Sequence, residues 1–204
     1  MTSRQRSPTT FKGEPVTNVD DLVQRSQAFA SSDFRTDLTI NPHGHMMVVG
    51  CVDPRVDPTH VLGLAQGEAA VIRNVGGRIT PATLRTMAML SQVGQARRDG
   101  GPAQPWNLVI LHHTDCGMLD LSAFPDLLAE YFEIPVMELE PKAVSDPVRS
   151  VQVDVEVLLE VLRGSDFFVS GLVYDVVTGL VDVVVRPTAL PTHERNGSDR
   201  ESDE

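Results

Sequence analysis

Five short apolar runs, spaced by stretches of helical periodicity, limit what this chain can fold into more than any other feature. They occupy residues 45–51, 69–73, 106–111, 166–174 and 180–185. Each has strand length and is bounded by glycine, proline, asparagine or aspartate. Asp57-Pro58 opens a short helix after the first run, with Asp57 as N-cap and Pro58 in the first turn. Val61, Leu62 and Leu64 face inward there, and Gly67 ends it. A longer helix starts near Thr80-Pro81 and carries Leu84, Met87, Ala88, Leu90 and Ser91 as a stripe to about Arg98. Residues 146–162 form another, with Val151, Val155, Leu158, Leu159 and Leu162 on one side. A further helix is expected over 19–34. Strands alternating with helices imply βαβ units around a largely parallel sheet. The last two runs, joined at Val177-Thr178-Gly179, pair back as a hairpin. The segment holding Phe124, Leu127, Leu128, Tyr131 and Phe132 is broken by Pro135 and Pro141, and its pattern assigns no fold.

Ligands of such sheets bind beyond the carboxyl ends of the strands. The chain has two cysteines, Cys51 and Cys116, each at or just past such an end. His113 stands three residues before the second. Two thiolates and one imidazole make a tetrahedral zinc set with one open position. His112 is the rival ligand, but on an extended run it points opposite to His113, which is preferred. The competing reading is a pair of inert core thiols. Asp53 and Arg55 are two apart on an extended segment and share a side. The aspartate suits the orienting of a zinc-bound hydroxide, and the arginine suits keeping it ionised. Arg73-Asn74-Val75-Gly76-Gly77 is a glycine loop that permits positive φ and close backbone approach to a small ligand. It lacks the lysine and spacing of a phosphate loop.

A formal net charge of −11 argues against a nucleic-acid or anionic-membrane partner. No membrane span or secretory signal is expected, which makes the cytoplasm the default. A single disulfide does not suit a chain of this size in a reducing compartment. We expect a flexible arm over 1–16, one zinc-binding α/β catalytic domain over 17–186 and a disordered acidic tail over 187–204.

Together, Cys51-x-Asp53-x-Arg55, Arg73-Asn74-x-Gly76 and His113-x-x-Cys116-Gly117 resemble the signature of the β-class carbonic anhydrases. The run from Leu111 to Met118 resembles a short, mainly microbial branch that includes carbonyl sulfide and carbon disulfide hydrolases, to which Gly76-Gly77-Arg78 is similar too. The resemblance implies four parallel strands with an antiparallel fifth. It implies zinc on Cys51, His113 and Cys116, with Asp53 and Arg55 as the gating pair. It implies reversible hydration of CO2 to bicarbonate and a proton by zinc-bound hydroxide, in a homodimer or homotetramer. The alternatives are hydrolysis of carbonyl sulfide or carbon disulfide at the same site, or a zinc-stabilised scaffold without turnover. One departure stands in the first motif: Pro54 occupies a place usually held by serine or alanine. It biases Asp53 toward extended backbone.

Overall fold

The computed structural model describes residues 18–97 and 104–189. The arm expected over 1–16, and the tail expected over 187–204 apart from 187–189, lie outside them. The chain divides into two compact units, Met1–Leu38 and Thr39–Glu204. In the first, helix α1 (Val19–Ser32) begins with a capping box: Asn18 Oδ1 accepts from Asp21 N at 3.1 Å, and Asp21 Oδ2 accepts from Asn18 N at 3.3 Å. None of its residues is buried.

The second unit runs β1 (Met46–Cys51), α2 (Pro58–Val61), β2 (Ala69–Asn74), α3 (Pro81–Ala96), β3 (Trp106–His113), α4 (Pro125–Phe132), α5 (Pro147–Val161), β4 (Phe167–Tyr174) and β5 (Val181–Ala189). The strands form one sheet in the order β2-β1-β3-β4-β5. All neighbours are parallel except the antiparallel β4–β5 pair. The fold is therefore the expected one. Its order locates the site: β1 continues to β2 on one side, and β3 continues to β4 on the other. The crossovers part between the ends of β1 and β3, which is where such sheets open a crevice.

The helix starts follow the sequence. Asp57, Thr80 and Asp146 each accept from a backbone N–H in the first turn, and proline opens each helix. The ends follow it less well. Helix α2 stops at Val61, short of Gly67, because Gly63 takes φ 64° and turns the chain. On α3 the expected stripe is only partly used: Met87 is buried, Leu84 is partly covered and Leu90 is exposed. The unassigned segment becomes α4 with 3-10 turns on either side, Asp120–Ala123 and Val136–Glu138 among them. Strand β3 runs on to His113, past the expected end at Leu111. Strand β5 runs past Val185 and through Pro187. Proline is tolerated there because β5 is an edge strand, and the β4–β5 register shifts between Val169 and Gly171.

The core divides by strand alternation. Met47, Val49, Leu108 and Ile110 pack with Val151, Val155 and Leu158 of α5. Val48, Val109 and Leu111 pack on the opposite face with Val61, Leu62 and Leu64. A third cluster, Met118, Leu128 and Phe132, packs α4 over the loop that follows β3 and touches Cys116.

Candidate metal centre

Ladder pairing between β1 and β3 ends at Gly50↔Leu111, and beyond it each strand pairs only with its outer neighbour, Cys51 with Asn74 of β2 and His113 with Tyr174 of β4, so a gap opens between them. Cys51 closes β1, His113 closes β3, and Cys116 follows through Asp115 in the left-handed region at φ 53°. One donor atom from each of Cys51, His113 and Cys116 lies within 4.8 Å of the others. The two sulfurs are 4.0 Å apart. A disulfide requires about 2.05 Å. Two thiolates sharing a tetrahedral zinc at the usual bond length stand about 3.8 Å apart.

The imidazole is set for the same purpose. His113 Nδ1 lies 2.8 Å from the Thr114 carbonyl, an acceptor, so this nitrogen carries the proton and donates. Nε2 is then an unprotonated lone pair, and it is buried with no hydrogen-bond partner. An orphaned buried nitrogen costs free energy unless something occupies its lone pair. Donor set, spacing and orphan all fit a bound transition metal. Without one, burial opposes protonation of His113, but the Cys51 sulfur and the Thr114 carbonyl outweigh it and raise the pKa. The hydrogen bond shared by the sulfurs favours thiolate at Cys51, against the opposing cost of burial, and holds the proton on Cys116.

His112 turns to the other face, as strand alternation requires. Its Nε2 lies 3.3 Å from Asp154 Oδ2 and 3.2 Å from the Gly77 carbonyl. Asp154 also accepts from Arg78 Nε at 2.8 Å and from Ile79 N at 3.1 Å. Arg78 and Asp154 are each only 1% exposed, so the pair is fully desolvated. The Arg78 guanidinium also lies over the Phe132 ring, 5.0 Å from its centroid.

Asp53 and Arg55 pair, but through a 3-10 turn at Pro54–Val56 rather than along the expected extended segment. Arg55 Nη2 donates to Asp53 Oδ2 at 2.6 Å, and the Arg55 backbone N donates to Oδ1 at 2.9 Å. Pro54 opens the 3-10 turn Pro54–Val56, where a backbone N–H has no helical partner to lose, and Asp53 caps it at φ −53° and ψ 125°. The Arg55 side-chain hydrogen bond, ahead of every other effect, lowers the Asp53 pKa to about 2.

The sequence shows the residues but not the roles that several of them take at the site. Arg73 holds the loop after β1 through the Cys51 carbonyl at 2.9 Å, the Asp53 carbonyl at 2.8 Å and Asp57 Oδ2 at 2.7 Å. Tyr131 donates to the Val75 carbonyl at 2.7 Å and so ties α4 to the glycine loop. Asp154 had a legible signal: it is a charge on the apolar stripe of α5, between Val151 and Leu158. The glycine loop serves differently than expected. A Cβ on Gly77 would stand 3.0 Å from Cys51 N and 3.1 Å from the Leu111 carbonyl, so the close approach is to the sheet's own backbone. A cavity of about 60 Å³ adjoins the centre, with Gly76, Met118, Leu119, Val144 and Pro147 beside His113, Cys116 and the Arg78 cluster.

A parallel sheet whose switch point gathers two thiols, an imidazole and an adjacent carboxylate–guanidinium pair defines a metal-site α/β protein of enzymatic type. The carbonic anhydrase family model matches residues 46–133. Beta-carbonic anhydrase 1 of Mycobacterium tuberculosis is 32% identical over 174 residues, which is 83% of this chain and 99% of that relative. The carbonic anhydrase of Streptococcus mutans superposes with a TM-score of 0.59 at 28% identity, covering 84% of this chain and 99% of that one. A carbon disulfide hydrolase of Saccharolobus solfataricus is 26% identical over 114 residues, 56% of this chain and 49% of that relative. The chain belongs to the β-carbonic anhydrase family, a family of enzymes.

Proposed function

We propose that this protein catalyses the reversible hydration of CO2 to bicarbonate and a proton, with one zinc ion held by Cys51, His113 and Cys116. The observation that carries the reading is the buried, unpartnered Nε2 of His113 facing two unbridged sulfurs. When bound, zinc supplies Lewis acidity and makes a nucleophile of water near neutral pH. The chain's own residues supply the rest. Asp53 stays ionised under Arg55 and offers an acceptor that takes a hydrogen bond from the attacking water and aims its lone pair. Met118, Leu119, Val144 and Pro147 give the cavity an apolar wall, with Arg78 and Ser150 also lining it, beside two of the three donors, and this supports a small uncharged substrate.

The second reading is hydrolysis of carbonyl sulfide or carbon disulfide at the same centre. It is favoured by the likeness to a carbon disulfide hydrolase, over about half of that relative's length. The carbonic anhydrase likeness extends over 99% of its relative, and it supports CO2 as the substrate. The scaffold reading requires Asp53 to be free to fill the fourth position, and here its carboxylate is engaged by Arg55. Among the described residues no helix is long and apolar enough to cross a membrane. We place the protein in the cytoplasm, since two unbridged cysteines suit a reducing compartment. We assign it a homodimer or homotetramer, in keeping with the exposed apolar Leu180 and Val183 near and on the edge strand β5.

The test is a side-by-side assay of purified, zinc-loaded protein on CO2, carbonyl sulfide and carbon disulfide, with metal analysis of the same sample. We expect one zinc per chain and CO2 hydration as the fastest reaction. Hydrogen sulfide release that outpaces CO2 hydration selects the second reading. Stoichiometric zinc retained after Cys51→Ala, His113→Ala or Cys116→Ala removes that residue from the ligand set.

A further inference from the structure

Arg55 is shared between two carboxylates. Its Nε and Nη2 serve Asp53, at 3.1 Å to Oδ1 and 2.6 Å to Oδ2. Its Nη1 donates to Asp115 Oδ2 at 2.7 Å, and Nη2 also donates to the Asp115 carbonyl at 2.9 Å. Asp53 lies two residues after Cys51, and Asp115 lies immediately before Cys116. One guanidinium thus fastens the turn that follows the first thiol, at the end of β1, to the loop that carries the second.

We propose that Asp115 is a positioning residue that acts through Arg55: it locks the Cys116 loop to the turn after Cys51 and slows escape of the metal between them. The inference rests on the reading that Cys51, His113 and Cys116 hold a metal. Escape requires at least one sulfur to move away from the others. Cys51 is held at the end of β1 by its pairing with Asn74, while Cys116 lies on the loop past the end of β3, and the β1–β3 ladder stops at Gly50↔Leu111, short of both. Past that point Arg55 supplies a direct bridge between the loops. Charge-assisted bonds to both the carboxylate and the carbonyl of one residue give the bridge a fixed geometry. Its reach is modest, since Arg55 is 48% exposed and Asp115 75% exposed. Water and salt screen such a pair.

Asp115→Asn isolates the charge. Asparagine accepts the left-handed backbone that residue 115 holds at φ 53°, and the main-chain carbonyl contact survives. The experiment follows zinc release from the loaded full-length protein into excess chelator, at low and at high salt. It compares wild type, Asp115→Asn, Arg55→Ala and the double variant. We expect Asp115→Asn to release zinc about two- to fivefold faster at low salt, the upper scale for an exposed ion pair. The difference should shrink at high salt, and the double variant should be no faster than Arg55→Ala. The unfolding midpoint of metal-free Asp115→Asn should match wild type, which separates a bridge between loops from a general loss of stability. Release at the wild-type rate, a gain that salt leaves intact, or full additivity with Arg55→Ala overturns the bridge while leaving the metal reading in place. A wild-type protein that takes up no zinc overturns both.

Discussion

Asp53 carries the sharpest claims at the scale of single residues. Its carboxylate is held by Arg55. Asp53→Asn should therefore keep stoichiometric metal and lose turnover by about 10- to 100-fold, the usual range for a group that orients a metal site from outside its ligands. Metal analysis beside a stopped-flow hydration assay measures the two separately; full activity in the variant refutes the orienting role. The pH dependence follows from the depressed pKa of about 2. A carboxylate with a folded pKa below its unfolded value of about 3.9 stabilises the fold fully above that value. The contribution fades as pH falls toward 2. Carboxylate carbon shifts followed by NMR should keep Asp53 ionised at pH values where ordinary carboxylates have taken up a proton.

At the scale of elements, the glycine turn after β2 fits the sheet's own backbone as tightly as a ligand would. Gly77 holds φ 67°, and any Cβ there meets Cys51 N and the Gly50 carbonyl carbon at 3.0 Å. Gly77→Ala combines left-handed strain with a backbone clash, which should cost about 1–3 kcal/mol or more. Chemical denaturation should show a lower midpoint, and weakened zinc retention should accompany it because the contact falls on the Cys51 amide. An unchanged midpoint would show that the turn relaxes freely. The elements with clean capping chemistry, α3 and α5, are legible in the amino-acid order: Thr80-Pro81 and Asp146-Pro147 mark their starts. Helix α4 is not. Its boundaries depend on packing Leu128 and Phe132 against Met118, a contact that local pattern does not encode.

At the scale of the whole molecule, one buried ion pair joins helix α5 to the loop behind the metal centre. Arg78 and Asp154 are each 1% exposed, and Asp154 also receives Ile79 N and faces His112. Asp154→Ala leaves a desolvated guanidinium unpaired, a loss of about 3–5 kcal/mol. Thermal unfolding should register it as one of the most damaging single changes outside the apolar core; a melting curve like that of wild type counts against it. The metal itself is a different matter. The sheet has its own cores on both faces, so the chelated protein should keep its far-UV circular dichroism. Its melting temperature should fall, since ligand at 100 times its Kd contributes about 2.7 kcal/mol. Loss of the dichroism on chelation would mean that the metal holds the fold together.

The amino-acid order by itself determined the sheet class, the antiparallel last pair, the starts of α2, α3 and α5 and which three residues are candidate donors. These rest on alternation, capping and side-chain chemistry, all of which act over a few neighbours. Alternation alone would have set Cys51 and His113 on opposite faces, since Val49 pairs Ile110 while Gly50 pairs Leu111. They meet because β1 and β3 stop pairing at that point, at the place where their crossovers part. The reach of Arg55 on to Asp115 and the burial of Arg78 against Asp154 were likewise decided only in three dimensions. Both pairings span many residues, and a charge's partner is whatever the packed chain brings within reach of it.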